Sequence, residues 1–413
     1  MRYFKYSLLF VLVFSIISSA QFKRKPIFIE TNYVVDGESA STFISYKIPY
    51  TNLVFVKDKD KYHSGITFTI EIYAENGEDL ITREFTHKSI SATSYKDTEN
   101  PDIFLNDILN VNLTPGIYLV QPLVDLDNTN RSVKLETFQL YIEPANAEKI
   151  SPVIVLKNES KCDGSPYELV NHENRVPFGD KKSTLLLSIP EDLSSQPELI
   201  ITTSSDTQDS ISSILFPGKS FSISNCDSII SVQKVDKDNF TFLEITEPIY
   251  KLEEGDYSLK INTQNSTYTA DFVVEWIDRP FSVSDPKFAI ELLKIAYGDE
   301  TALELLRKDE DNYYTELVNF WKKYDPIKET VFNELMNEYY QRADYSIRNF
   351  SSLDKRNGAE TDRGKTFIKF GDPDSIKRGS NEKDKITEIW YYGNLGKTFV
   401  FVDESGLGNF ILK

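Results

Sequence analysis

Cysteine, methionine and histidine are nearly missing from this chain, which has two, two and three of them in 413 residues. Two cysteines fall short of a Cys-based structural zinc site. The histidines, His63, His87 and His172, never take the His-Glu-x-x-His spacing of a zinc protease. There is no Gly-x-Ser-x-Gly elbow and no Gly-x-x-x-x-Gly-Lys-Ser/Thr phosphate loop. No catalytic residue, metal site or cofactor is therefore expected. Positive charge is also short: 46 Lys and Arg stand against 64 Asp and Glu, a formal net charge of −18. Such a surface repels nucleic acid and anionic lipid headgroups, and is compatible with a cationic partner or divalent metal.

Long apolar runs are scarce, with one exception. Arg2 and Lys5 make a basic start, Leu8 to Ile17 is apolar, and Ser18-Ser19-Ala20 are the small residues a signal peptidase needs. The run is short against the roughly 20 residues of a bilayer span. We expect cleavage after Ala20, a mature chain from Gln21 and export to the periplasm or beyond. Loss of Arg2 and Lys5 takes the formal charge from −18 to −20. No later segment spans a membrane, and no cysteine follows the cleavage point to carry a lipid.

What is abundant is β-forming sequence. About 390 mature residues suffice for two or three domains. Ile66, Phe68, Ile70 and Ile72 alternate with threonines and Glu71, a half-buried strand. Phe138, Leu140 and Ile142 repeat the habit, as do Tyr257, Leu259 and Ile261, then Tyr268, Ala270, Phe272, Val274 and Trp276. Leu113-Thr114-Pro115-Gly116-Ile117-Tyr118 is echoed by Leu252-Glu253-Glu254-Gly255-Asp256-Tyr257. Leu, a Gly turn and a Tyr at a strand start resemble the tyrosine corner of immunoglobulin-like and fibronectin-type sandwiches. Two sandwiches follow, dividing near Pro144 to Pro152. Cys162 and Cys226 both fall in the second, and are either a disulfide or two buried thiols.

At Asp285-Pro286 the period changes to helical. One helix carries Phe288, Leu292 and Ile295 and stops at Gly298; a second starts at Asp299. A third runs from about Asn312 to Asp325-Pro326, and a fourth carries Val331, Leu335, Tyr339, Ala343, Ile347 and Phe350. The chain then returns to short runs, Lys365–Phe370, Ile389–Tyr392 and Phe399–Asp403, which read as strands between tight turns.

The segment from Phe320-Trp321-Lys322-Lys323-Tyr324-Asp325-Pro326 through Thr330, Asn333-Glu334 and Tyr339-Tyr340 resembles the helical lead-in of the GWxTD family of exported bacterial proteins. Gly358-Ala359-Glu360-Thr361-Asp362 stands at its Gly-Trp-x-Thr-Asp signature, with Ala359 in place of the Trp. Gly371-Asp372-Pro373-Asp374 and Glu388-Ile389-Trp390-Tyr391-Tyr392 are similar to its later motifs. The resemblance covers about 130 residues from Asp285 onward and implies a location and a domain order, but no reaction. If the missing Trp only packs, Phe350 or Trp390 fills its space. The expected division is a signal peptide over 1–20, sandwiches over 21–147 and 148–279, and a GWxTD-like α+β domain over 280–413. Within that domain, helices occupy 285–350 and a small antiparallel β unit 358–413.

The main polar constellation is Thr361, Asp362, Arg363, Asp372, Asp374 and Glu388. Its carboxylates suit general acid–base work at about 5 to 10 Å separation, or oxygen ligation of a hard cation. The same residues suit turn capping and local ion pairing. Arg363 is read as partly exposed, its planar fork open to an acidic ligand or partner; the competing role is an ion pair with Asp362, Asp374 or Glu388. Two functions follow. One is a non-catalytic envelope protein that binds an unidentified partner. The other is a hydrolase or metal-dependent enzyme, which needs a cleft where these carboxylates converge.

Overall fold

The computed structural model describes residues 27–413 apart from 101, 163, 204–206, 210, 228, 246–248, 329 and 353–356. The leader expected over 1–20 lies outside the described residues. The first unit packs a three-stranded sheet, Phe28–Asp36, Ser39–Pro49 and Phe104–Leu113, against a six-stranded one centred on Lys61–Ala74. Period-two alternation decides which residues meet. Ile66, Phe68, Ile70 and Ile72 are fully buried and face Ile44, Tyr46 and Leu105. The Tyr46 and Phe68 rings lie 4.2 Å apart between centroids, tilted by 33°.

The second unit pairs two five-stranded sheets. Two of its strands read as unbroken apolar runs, Val153-Ile154-Val155 and Leu185-Leu186-Leu187, because their sheet is covered on both faces. Ile154, Leu185 and Leu187 enter the unit's own core. Val153, Val155 and Leu186 point the other way, into a second cluster that contains Val34 and Phe43 of the first unit. The two sandwiches are thus joined through apolar side chains. Both tyrosine corners form: Tyr118 donates to Thr114 O and Tyr257 to Glu253 O, each at 2.9 Å.

Helices Pro286–Leu292, Asp299–Leu306, Tyr313–Lys322 and Glu334–Asn349 pack around Trp321, Tyr339 and Tyr340. The two phenols are satisfied by carbonyls, Tyr339 on Leu292 O at 2.6 Å and Tyr340 on Ala289 O at 2.9 Å. The last long helix starts later than its apolar pattern suggests. Asn333 caps it by accepting from Met336 N, and Val331 is left exposed outside it.

The chain ends in a four-stranded antiparallel sheet, Ser375–Ser380, Ile386–Tyr392, Lys397–Asp403 and Phe410–Leu412. One expectation is overturned here. Lys365–Phe370 is not a strand but most of a helix, Asp362–Phe370. Thr361 caps it, its Oγ1 accepting from Gly364 N at 3.0 Å, and Gly364, Phe367 and Ile368 share the buried face at i, i+3 and i+4.

Candidate functional site

Gly358-Ala359-Glu360 forms a single 3₁₀ turn that delivers Thr361 to the start of the helix. Each residue of this signature has a visible task in the fold. A Cβ at Gly358 would overlap Ser346 O, and one at Gly364 would overlap Gly358 O, so only glycine lets these backbones approach. Thr361 Oγ1 donates to Gly358 O at 2.7 Å while capping Gly364, closing the turn on itself. Asp362 Oδ2 accepts from Leu412 N at 2.9 Å and ties the helix to the last strand. Ala359 is fully buried in the helical core. Phe350 and Trp390 pack against one another in the neighbouring cluster, 5.5 Å between ring centroids.

Arg363 is the second correction. Its side chain is only 11% exposed and pairs with Glu388, 4% exposed, at 3.4 Å. The guanidinium lies 4.1 Å from the Phe410 ring centroid and 5.3 Å from that of Phe350, and Nη2 donates to Gly408 O at 3.4 Å. Burial holds its pKa below the usual arginine value, against the pull of Glu388. Register explains the sharing of Glu388: Arg378 stands directly opposite it on the edge strand and donates Nε to Oε1 at 3.0 Å. Trp390, two residues along on the same face, donates its indole N–H to Oε2 at 3.3 Å.

Arg363 and Glu388 meet, but the full constellation does not assemble. Asp362 is at one end of the helix, while Asp372 and Asp374 lie beyond Phe370 at the other. Nine helical residues separate the ends by about 13 Å. Asp374 Oδ2 accepts from Gly393 N and closes the turn into the sheet; Asp372 is exposed. Cys226, at the end of the strand Ser213–Cys226, is disulfide-bonded. The side chain of Cys162, the candidate partner, lies outside the described residues.

Sequence reading passed over a different cluster, where the two sandwiches and the helices meet. Lys47, His172, Arg175 and Arg348 line a cavity of about 610 Å³ there. Their only sequence signal was weak: Asn171-His172-Glu173-Asn174 is a polar tetrapeptide of the sort that adopts left-handed backbone.

No curated protein matches the chain in sequence. Among solved structures, a tandem of titin immunoglobulin domains shares 12% identity, covering 60% of this chain and 95% of that one, with a TM-score of 0.13. A chimeric titin Z1Z2 carrying an exogenous peptide from decorin shares 13%, covering 61% and 98%, with a TM-score of 0.11. Overlap that low carries no argument, and the sandwich description stands on the sheets and cores themselves. Residues 239–407 match the family model of the GWxTD domain, from the last strands of the second sandwich into the terminal sheet, and this part of the chain is a GWxTD domain.

Proposed function

We propose that this protein is exported and works in the cell envelope as a non-catalytic binding or interaction module. The observation that carries this reading is the employment of the C-terminal carboxylates. Asp362 holds Leu412 N, Asp374 holds Gly393 N, and Glu388 is shared by Arg363, Arg378 and Trp390. Glu388, with both oxygens engaged by internal donors, is poorly placed to take a proton from a substrate, and Asp362 and Asp374 each spend one oxygen on a backbone amide. Asp362 and the Asp372–Asp374 turn also sit at opposite ends of one helix, not across a cleft. Export is supported by the basic start, apolar run and Ser-Ser-Ala ending of residues 1–20, and by a disulfide-bonded Cys226, since such bonds persist in oxidising compartments. No helix among the described residues is long and apolar enough to cross a membrane.

Cross-linking of native envelopes, followed by peptide mapping and intact-mass measurement, tests the proposal. The expected result is a chain starting at Gln21, cross-linked to a discrete partner. A chain still starting at Met1 and recovered with the cytoplasm overturns it.

A further inference from the structure

The cavity between the three units is a built polar site. His172 and Glu173 line it from the loop Asn171–Asn174, in which Asn171, Glu173 and Asn174 all have positive φ, between 51° and 59°. Non-glycine residues accept that backbone at a cost, so a cluster of three marks a conformation held by its surroundings. The loop turns its amides toward Glu30 of the first sandwich. That carboxylate accepts from Asn174 N at 3.2 Å and Asn32 Nδ2 at 3.0 Å, with the His172 and Glu173 amides also bonded to it. Successive amides around one anion form a nest, and here it fastens the two sandwiches together. The clamp fixes His172 beside Lys47, whose Nζ lies 3.2 Å from Nε2.

Several hydrogen-bonding atoms here have no partner. His172 Nδ1, in the lining, is buried and unbonded, and so are Asn171 Oδ1 and Nδ2 and Asn174 Oδ1 of the same loop, outside the lining. Because Lys47 donates to Nε2, the imidazole proton belongs on Nδ1, a buried donor without an acceptor. Such a concentration of unmade bonds in one loop is rare in a folded interior.

The charges sort by whether they are already paired. Arg175 is occupied by Glu173 at 2.7 Å and Glu275 at 2.6 Å. Asp344 is occupied by the amides of Phe281 and Ser282. Lys47 and Arg348 make no ion pair among the described residues: Lys47 donates to Val170 O at 3.4 Å and Arg348 to Asp344 O at 3.2 Å. Glu30, Glu168 and Asp278 face Lys47 from beyond ion-pair distance. Around these two cations stand rings. Lys47 lies 4.3 Å from the Phe104 centroid, Phe28 meets the His172 ring edge-on at 5.0 Å, and Arg348 lies 5.5 Å from that of Phe281.

We propose that this junction binds a small organic anion, its acidic head held by Lys47 and Arg348 and its planar body against Phe28, Phe104 and Phe281. The lining also carries Asp102, Asp278 and Arg279, the last held by Glu254, so the attraction for an anion is local to Lys47 and Arg348 and not a general basic surface. The volume suits a ligand of that size. The site draws on all three units, so occupancy couples them. It stands independently of where the protein resides and of whether the C-terminal carboxylates catalyse anything.

Calorimetric titration of the full chain with phenyl phosphate, benzoate, inorganic phosphate and benzylamine tests this. Phenyl phosphate or benzoate should bind one per chain, and which does so identifies the head group. Inorganic phosphate, lacking the body, should bind at least about tenfold more weakly, and benzylamine not at all. Lys47→Met, which keeps the stem, and Arg348→Gln, an exposed change, should each weaken binding at least about tenfold. That is the loss of one charge-assisted contact, since each tenfold is about 1.4 kcal/mol. If Lys47→Met does not fold, Arg348→Gln decides alone. No saturable binding of either aromatic anion, affinity unchanged by Arg348→Gln, or benzylamine binding as tightly overturns the proposal.

Discussion

Replacing Arg363 with alanine should destabilise the C-terminal unit by about 3 kcal/mol. The magnitude comes from what the guanidinium leaves behind. Removing one partner of a buried ion pair costs roughly 3–5 kcal/mol, because the other charge stays buried. Glu388 is 4% exposed, but it keeps Arg378, whose side chain is 74% exposed, and the Trp390 indole. That residual pairing places the loss at the lower end of the range. The contact with Phe410 adds up to about 1 kcal/mol. In a unit of about 130 residues each kcal/mol moves Tm by about 3–5 °C, so the transition should fall by roughly 10 °C or more. Indole fluorescence during thermal and urea unfolding reports it, with Trp390 inside the affected sheet. A multi-unit chain need not unfold in one step, so the transition must be fitted by unit. Arg363→Met keeps the stem over the rings and should lose most of the same stability. Adding Glu388→Gln to Arg363→Met should recover at least about 1 kcal/mol, because the buried charge left with only Arg378 opposite it is gone. A shift below about 1 kcal/mol for Arg363→Ala, the ordinary result for a surface residue, would refute the buried-pair argument.

Trp390→Ala should cost about 3–5 kcal/mol, the price of emptying a fully buried indole site, and circular dichroism should show the terminal sheet melting first. Gly358→Ala should cost roughly 3 kcal/mol by forcing the turn away from Ser346 O; a melt unchanged within about 0.5 kcal/mol contradicts the close approach. The third expectation concerns pH. Burial, reinforced by Lys47 and Arg175, pushes His172 down to about 3, while the unfolded chain titrates near 6.5. Its contribution is therefore complete above about pH 6.5 and drains away as pH falls toward 3. Between pH 6.5 and 5 this amounts to about 1–2 kcal/mol, and His172→Gln should flatten that part of the stability profile. Glu30, whose pKa is raised by burial, acts in the opposite sense, stabilising as pH falls, so only the difference between the two proteins isolates the histidine.

Alternation made the strands readable: the Ile66–Ile72 face and both tyrosine corners are where the pattern puts them. Double-sided burial was also written in the sequence, as Val153-Ile154-Val155 and Leu185-Leu186-Leu187, but such a run is silent about what covers its second face. Lys365–Phe370 misled because six residues with apolar side chains at both two- and three-residue spacing fit either period. There the cap at Thr361 settles the matter, and a cap competes with turn chemistry in any short segment. The Arg363–Glu388 pair joins residues 25 apart by seating a helix residue against a sheet strand, which local reading cannot supply. Lys47 and His172, 125 residues apart, meet only because the two sandwiches pack face to face.

The most direct test of the account is metal uptake at the C-terminal carboxylates, measured by calorimetric titration of the full chain with Mg²⁺, Ca²⁺ and Mn²⁺. If these groups serve the fold, wild type, Asp362→Asn and Asp374→Asn should give the same weak, unsaturable heats below millimolar metal. One-to-one binding in the wild type that either substitution abolishes would contradict the account and return the protein to the metal-dependent enzymes.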